Sequence, residues 1–447
     1  MKKIMRGIKY IFLLLTPIFN SFSTIAQEID GVSGIGIQQI IAITLENNYE
    51  IKISRNSSKS AAIDAVPGNA GYLPTVSFSA GYNYASSNTD LVFADPTSPE
   101  INATGAVTEN LNAGITLNYN IYSGGNRKYT YEKLKNESYI SELQLQQSIE
   151  SSVLNVVSQF LNVVNYYDAY KINEESVDIS KKRYERAENN YAFGAMSKLE
   201  LLNAEVDLRN DSTNLVQSKI AFDKSLKDLN NLMGINPDST YTLNPDFTIE
   251  EDLAVASLLE EALTKNTSYL ISRTSIRSRE LDLKINKASY LPTLDLSGGY
   301  EYSDISYGAS FIKTQTSLGW NAGLTLSYNI FDGGTRKRQK EKAEIQILNQ
   351  QLSIEQTKNN LKTDLLKAYD DYLSNIELLS MTERNLNSAM VNYERSTEAF
   401  STGQITGIEL REAQLNLLNA KYNVSLQRIQ AKISEVSLLY YSGALVN

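Results

Sequence analysis

The side chains that most often carry out catalysis or bind transition metals are missing from this chain. Its 447 residues include no cysteine and no histidine, so the chain has no thiolate nucleophile, no imidazole base and no soft metal site. Carboxylate and Ser/Lys chemistry remain possible, but no clustered acid and base stand out. Two double glycines precede basic residues without the spacing of a phosphate-binding loop. We therefore expect no cofactor, no metal and no enzymatic activity.

Two short turns contain the glycines and acids that stand out most. The sequence reads FGAMSKLE at 193–200 and STGQITGIE at 401–409. Gly194 and Gly403 stand where a glycine can adopt the left-handed conformation that ends a helix. We therefore predict a tight turn between two helices at each position.

Three glutamates follow these glycines. Ser197 and Glu200 have the three-residue spacing of a capping box, which starts a helix. Thr406 and Glu409 repeat that spacing, so capping accounts for two of the three acids. Glu412 has no capping role, and a solvated helix face is the alternative to a functional role for it.

The turns are part of a duplication that covers most of the chain. Three passages recur in the same order: 71–84 at 289–302, 112–133 at 321–342, and 183–210 at 392–419. The first pair is offset by 218 residues and the other two by 209, so the segment after Tyr84 is nine residues longer in the first copy. Each copy is predicted to run helix, strand, loop, strand, long helix, tight turn and helix.

The duplication also divides the chain into segments. We assign a signal peptide to 1–26, a first repeat to 27–235, a linker to 236–255 and a second repeat to 256–447. The signal segment has a basic start and an apolar run too short to span a membrane. Removing its four positive charges takes the net charge from −9 to −13, which argues against a nucleic-acid partner.

The segments after the two double glycines contain no proline over a long distance. We predict helices from Asn126 to Phe193 and from Thr335 to Thr402, each about 100 Å long. Apolar residues recur at three- and four-residue steps among polar ones. We therefore expect these helices to pack side by side and to keep one face in water.

Four shorter segments alternate polar and apolar residues, at 75–84, 114–122, 293–302 and 318–330. Their length and period match transmembrane strands with lipid on one face and water on the other. A soluble sandwich strand with one buried face is the alternative for any single segment. Four strands are too few to close a barrel, and open edges are not tolerated in lipid, so we expect several copies to assemble.

Together these features resemble the outer membrane efflux proteins, the TolC-like family. The resemblance rests on YLPT before a strand, NxxxGG after the next strand, the long helix and the glycine turn, all duplicated across almost the whole mature chain. It implies a membrane α+β fold with four transmembrane β-strands and long periplasmic α-helices per chain. Three chains would form a trimeric 12-stranded β-barrel continued by an α-barrel, in the outer membrane with helices extending into the periplasm.

The resemblance also implies a role for the acids at the tips. Glu200, Glu409 and Glu412 align with acids that line the closed periplasmic entrance, where the better-known members carry Asp. Asn203 replaces a fourth carboxylate, and Ile405 stands where an arginine often sits. In a homotrimer the acids would form rings that attract cations.

The same two turns, over 192–200 and 401–411, are the implied docking sites for a periplasmic adaptor (membrane fusion) protein. The turn residues concerned are Gly194, Ser197, Gly403 and Thr406. Hydrophobic residues at the turns could contact the adaptor. Packing within the tip is nevertheless the role we expect for Phe193, Met196, Phe400 and Ile405.

At the other end of the long helices, the double glycines would let the backbone bend from strand to helix. The residues at these junctions are Pro74, Pro292, Gly124, Gly125, Gly333 and Gly334. An aromatic belt at the membrane interface is implied for Tyr72, Tyr122, Tyr290 and Phe331. The loops at 85–110 and 303–316 would face the outside.

The implied function is a passive gated duct of a tripartite efflux system. It would carry substrates from a periplasmic adaptor and an inner-membrane transporter, through the lipid of the outer membrane, to the outside. The outer-membrane component of a type I secretion system is an alternative. A structural coiled-coil surface protein would explain the helices but not four duplicated strands, and a porin has no need of such helices.

Overall fold

The computed structural model describes residues 34–95, 97–250 and 253–446. The predicted signal peptide and the first residues of the predicted first repeat lie outside these ranges. Within them the chain forms eight helices and four strands. In chain order these are α1 (Ile37–Asn47), α2 (Tyr49–Asp64), β1 (Thr75–Leu91), β2 (Ile101–Tyr122), α3 (Asn126–Ala192), α4 (Lys198–Met233), α5 (Val255–Lys265), α6 (Thr267–Ala288), β3 (Thr293–Tyr307), β4 (Thr314–Ser327), α7 (Thr335–Ser401) and α8 (Gly407–Ser442).

The two long helices have the predicted length and position. Helices α3 and α7 each contain 67 residues, which corresponds to about 100 Å at 1.5 Å per residue. Each packs along its partner in an antiparallel hairpin, α3 with α4 and α7 with α8. None of the described helices is long and apolar enough to cross a membrane.

The prediction of a single helix before each pair of strands is wrong, because the structure has two helices there. The breaks fall at Asn48 and Asn266, whose backbone is not helical and whose side chains accept a hydrogen bond from the N–H three residues on. Each asparagine amide also donates to a carbonyl at the end of another helix: Leu232 at 2.7 Å and Tyr441 at 3.1 Å. At both breaks, therefore, an asparagine caps the following helix and also binds the end of a neighbouring helix.

The two copies differ in the segment that leads into the hairpin. Helix α6 continues to Ala288, whereas α2 ends at Asp64. Pro67 and Gly68 follow α2, and proline disfavours helical backbone in the residue before it. The chain therefore reaches β1 through a longer irregular segment in the first copy, whereas only residues 289–292 separate α6 from β3 in the second.

The four strands form one antiparallel sheet in the order β1-β2-β3-β4, so β2 and β3 join the two copies. The predicted long loops at 85–110 and 303–316 are wrong, since only 92–100 and 308–313 lie between paired strands. Backbone pairing continues there because it does not depend on an apolar face.

Strand β4 ends earlier than predicted, at Ser327, which pairs with Thr293. The next partner position on β3 would be Pro292, which has no N–H to donate to the ladder. Residues 328–330 therefore leave the sheet before the double glycine.

The core lies in the middle of the helical part. Buried residues of α3 between Val153 and Val164 pack against α1, α4 and α8, with Leu229 and Met233 from α4. A second cluster surrounds Leu365 and Tyr372 of α7, together with α5 and α8. These clusters hold the two helical hairpins side by side.

Candidate functional site

The two turns at the far ends of the helical hairpins have the predicted left-handed glycines. Gly194 has φ +71° and Gly403 has φ +75°. The N–H of the residue after each glycine donates to a carbonyl five residues back: Ala195 to Asn190 at 2.8 Å, and Gln404 to Ala399 at 2.9 Å. Both turns are therefore Schellman-type helix ends.

Both capping boxes are present. The Ser197 hydroxyl accepts from the Glu200 N–H at 3.3 Å, and a Glu200 carboxylate oxygen accepts from the Ser197 N–H at 3.0 Å. In the second turn the corresponding distances between Thr406 and Glu409 are 3.3 and 2.7 Å. Two of the three acids assigned to the gate are thus held against their own helix ends, while Glu412 lies exposed on α8.

The stability of the cap formed by Thr406 and Glu409 should depend on pH. Hydrogen bonds from the Thr406 backbone N–H and hydroxyl hold the pKa of Glu409 below its ordinary value of 4.5. A carboxylate with a lowered pKa stabilises the fold above its ordinary pKa, and this stabilisation is lost as the pH falls through the lowered value. We expect protection of the 406–410 amides from hydrogen exchange, corrected for intrinsic rates, to fall below about pH 4.5.

The control for this prediction is Glu409→Gln, which keeps an acceptor for the cap but cannot titrate. In this variant the corrected protection should not change over the same pH range. An equal pH dependence in both proteins would show that another group is responsible.

A cluster of charges lies just above the turns, where α3, α4 and α8 meet. Arg411 donates to both carboxylate oxygens of Asp211, each at 2.7 Å. Ser180 also donates to Asp211, and Arg183 pairs with Asp207. We call these five residues the tip charge cluster. The Asp211 side chain is only 4% exposed and that of Arg411 14%, so this is a buried ion pair rather than a surface contact.

Burial and hydrogen bonding shift the pKa of the cluster residues in opposite directions. Burial alone would raise the pKa of Asp211, but hydrogen bonds from Arg411 and Ser180 hold it below its ordinary value. Burial lowers the pKa of Arg183 and is only partly offset by the charge of Asp207. The pair between Arg411 and Asp211 is thus held in its charged form at neutral pH.

Sequence reasoning missed the tip charge cluster. The duplication contained one sign of it: none of the five cluster residues recurs at the corresponding position of the other copy. At an offset of 209, Arg411 corresponds to Leu202 and Asp211 to Ala420. An ion pair between these two positions is therefore possible in only one arrangement of the copies.

A cleft of about 420 Å³ lies between the two tips, beside the cluster. Its lining includes Met196, Phe400 and Ile408, and the Arg186 guanidinium lies 5.3 Å from the centre of the Phe400 ring. The expectation that Phe193 packs inside the tip is wrong, because this residue is 87% exposed. It is the C-cap residue of α3.

The junctions between strands and long helices are built the same way in both copies. All four glycines, Gly124, Gly125, Gly333 and Gly334, have positive φ. A guanidinium lies 5.1 Å from an aromatic ring centre in each copy: Arg127 from Tyr72, and Arg336 from Tyr290. Pro74 and Pro292 stand directly before the first residues of β1 and β3.

The sheet exposes apolar side chains on one face. On β1 these run from Val76 to Tyr84, a distance of about 26 Å at 3.3 Å per residue. The height of a lipid-facing band is about 25 Å. On β4 the exposed residues include Trp320, which is 79% exposed. Strands β1 and β4 are the two edges of the sheet, and among the described residues neither pairs with another strand along its outer side.

Comparison with known proteins gives a consistent result. The model of the family described as outer membrane efflux protein matches residues 40–235 and 258–444. Outer membrane protein TolC of Salmonella enteritidis is 20% identical over 445 residues, which cover 98% of this chain and 86% of that protein. TolC of Escherichia coli K12 is 22% identical over 315 residues, or 68% of this chain and 64% of that protein.

Solved structures show the same fold at low identity. The Campylobacter jejuni CmeC outer membrane channel superposes with a TM-score of 0.74 at 19% identity, covering 94% of this chain and 90% of that one. The arrangement of one four-stranded sheet continued by long helical hairpins is therefore the fold of an outer membrane channel protomer.

Proposed function

Because the chain belongs to the outer membrane efflux protein family, we propose that three copies of it form a gated export duct across the outer membrane. The observation that carries this proposal is an open four-stranded sheet with an exposed apolar face, continued by two helical hairpins that each contain one 67-residue helix. In lipid such a sheet must be closed by further strands, because unpaired backbone groups are costly there.

Three chains supply twelve strands, enough for one barrel with a water-filled interior. The helices, about 100 Å long, then line a second barrel that extends through the periplasm. The double glycines turn each strand into its helix, so that one wall continues into the other. In this arrangement the outer-membrane lipid contacts the apolar face of the sheet.

The chain itself supplies a passage and a gate, and no chemical step. We propose that a periplasmic adaptor docks on the two turns and that an inner-membrane transporter provides the energy. Phe193 and the cleft around Phe400 are the apolar surface that the tips offer to such a partner. Opening would separate the tips of neighbouring protomers.

We assign the gate to Glu200, Glu409 and Glu412, which three-fold symmetry would arrange in rings. Rings of carboxylates favour cations at a constriction. Glu412 has the greatest weight in this assignment, because the other two carboxylates already accept hydrogen bonds in the caps.

The test is single-channel recording of the purified oligomer in a planar bilayer. Replacing all three glutamates by glutamine removes the charges while the caps keep an acceptor. We expect small cation-selective steps from the wild type and a lower cation preference in the triple variant. Glu142→Gln, an exposed charge on α3 located 51 residues before Phe193, is the control and should leave selectivity unchanged.

An unchanged selectivity in the triple variant would remove these residues from the gate. An absence of conductance from folded, inserted wild-type protein would contradict the duct itself.

A further inference from the structure

The four strands contain acidic residues and no basic ones. Across β1 to β4 there are five carboxylates and neither lysine nor arginine. This imbalance is local, because the long helices carry both signs. The charge of the sheet therefore has no counter-charge within the sheet.

The strand register sorts these carboxylates onto the two faces. Asp295 pairs with Asn120 and Glu301 with Gly114, which places both acids on the polar face. Glu109 pairs with Tyr84 and Asp304 with Leu111, which places these two on the opposite face. Asp90 lies next to the loop at 92–100.

Glu301 has no side chain beside it on either neighbouring strand. Its partners in the register are Gly114 on β2 and Gly319 on β4. A Cβ added to Gly114 would lie 3.0 Å from the Glu301 Cγ, so the glutamate stem lies along the bare backbone of β2. The carboxylate is exposed on the polar face.

Asp295 lies six residues nearer the helical junction on the same strand, about 20 Å away. Its carboxylate accepts a hydrogen bond from Asn120 at 2.7 Å. An amide does not neutralise the carboxylate, so this residue adds a second negative charge to the same face.

Given the proposed trimer, on which this inference rests, the polar face lines the lumen. We propose that Glu301, supported by Asp295, forms a second ion-selective region inside the β-barrel, separate from the helical tips. Three copies place rings of three carboxylates in a lumen wall that offers no cation from any strand, and such rings favour cations. The duct therefore prefers cationic and neutral cargo and disfavours anionic cargo along the barrel as well as at the gate.

The test is the reversal potential in a KCl gradient, recorded in the Glu200→Gln/Glu409→Gln/Glu412→Gln background, in which the gate carboxylates at the tips are uncharged. In this background we expect cation selectivity to persist. Adding Glu301→Gln and Asp295→Asn should lower the ratio of K⁺ to Cl⁻ permeability by about threefold or more. The control pair, Glu109→Gln and Asp304→Asn, removes the same charge from the opposite face and should leave the ratio unchanged.

Three results would overturn the proposal: a background channel without cation preference, no change on removing the lumen pair, or an equal change from the control pair. Each of these requires a conducting channel. Failure of the proposed function itself would appear differently, as absence of conductance in the wild type.

Discussion

Replacing Arg411 by alanine should destabilise the helical tips by about 3–5 kcal/mol. The substitution leaves Asp211 buried and charged, without the two hydrogen bonds that it now accepts from the guanidinium. Because α3, α4 and α8 all meet at the tip charge cluster, we expect the loss of stability to appear as faster hydrogen exchange in the parts of α4 and α8 nearest the turns. Local exchange is the suitable measurement, since the core clusters lie far from this site.

Two further variants test the cause. Arg209 forms an exposed pair with Glu205 on the same helix as Asp211, and Arg209→Ala should change the stability of the tip very little, because solvent screens such a pair. The double variant Arg411→Met/Asp211→Leu removes both charges and should recover most of the protection, because apolar replacement of a buried pair is often neutral or better. Equal losses for Arg411→Ala and Arg209→Ala would contradict the buried-pair account.

Replacing Gly234 by alanine should destabilise the fold by about 3 kcal/mol or more. Gly234 ends α4 with φ +73°, and a Cβ there would lie 2.5 Å from the carbonyl oxygen of Asn47. The strain of left-handed backbone alone accounts for about 1–2 kcal/mol. The remainder comes from pushing apart the ends of α1 and α4, where the first core cluster begins.

The matched control is Gly194→Ala. This glycine has nearly the same φ, +71°, but no atom lies within 4 Å of an added Cβ. It should therefore show the backbone strain without the clash. Thermal unfolding of the purified oligomer, scanned at one rate for all variants, compares them. If both substitutions lower the transition temperature equally, the close contact with Asn47 does not matter.

Much of this fold could be predicted because the same pattern of residues occurs twice in the sequence. The long helices follow from proline-free segments after a double glycine, and both turns follow from a glycine placed three residues before a capping serine or threonine. The division into two successive helices before each pair of strands was not predictable from periodicity. Asn48 and Asn266 break the helix by capping the next one and by donating to a distant helix end, and those partners are known only from the tertiary structure.

The candidate site was less predictable than the fold. The caps at Ser197 and Thr406 depend on residues three apart, so spacing alone identifies them. The tip charge cluster joins Arg411 to Asp211, 200 residues earlier, and no local pattern connects the two. Strand ends were also misplaced, because pairing beyond the apolar band depends on the partner strand and, in β4, on Pro292.

An export duct requires that the open four-stranded sheet be completed by further copies of the same chain. Native mass spectrometry of the protein extracted from the outer membrane in mild detergent measures this directly. We predict a single dominant species with three times the mass of one mature chain. A folded monomer or dimer as the dominant species would contradict the closed barrel, and with it the duct, the gate rings and the lumen carboxylates.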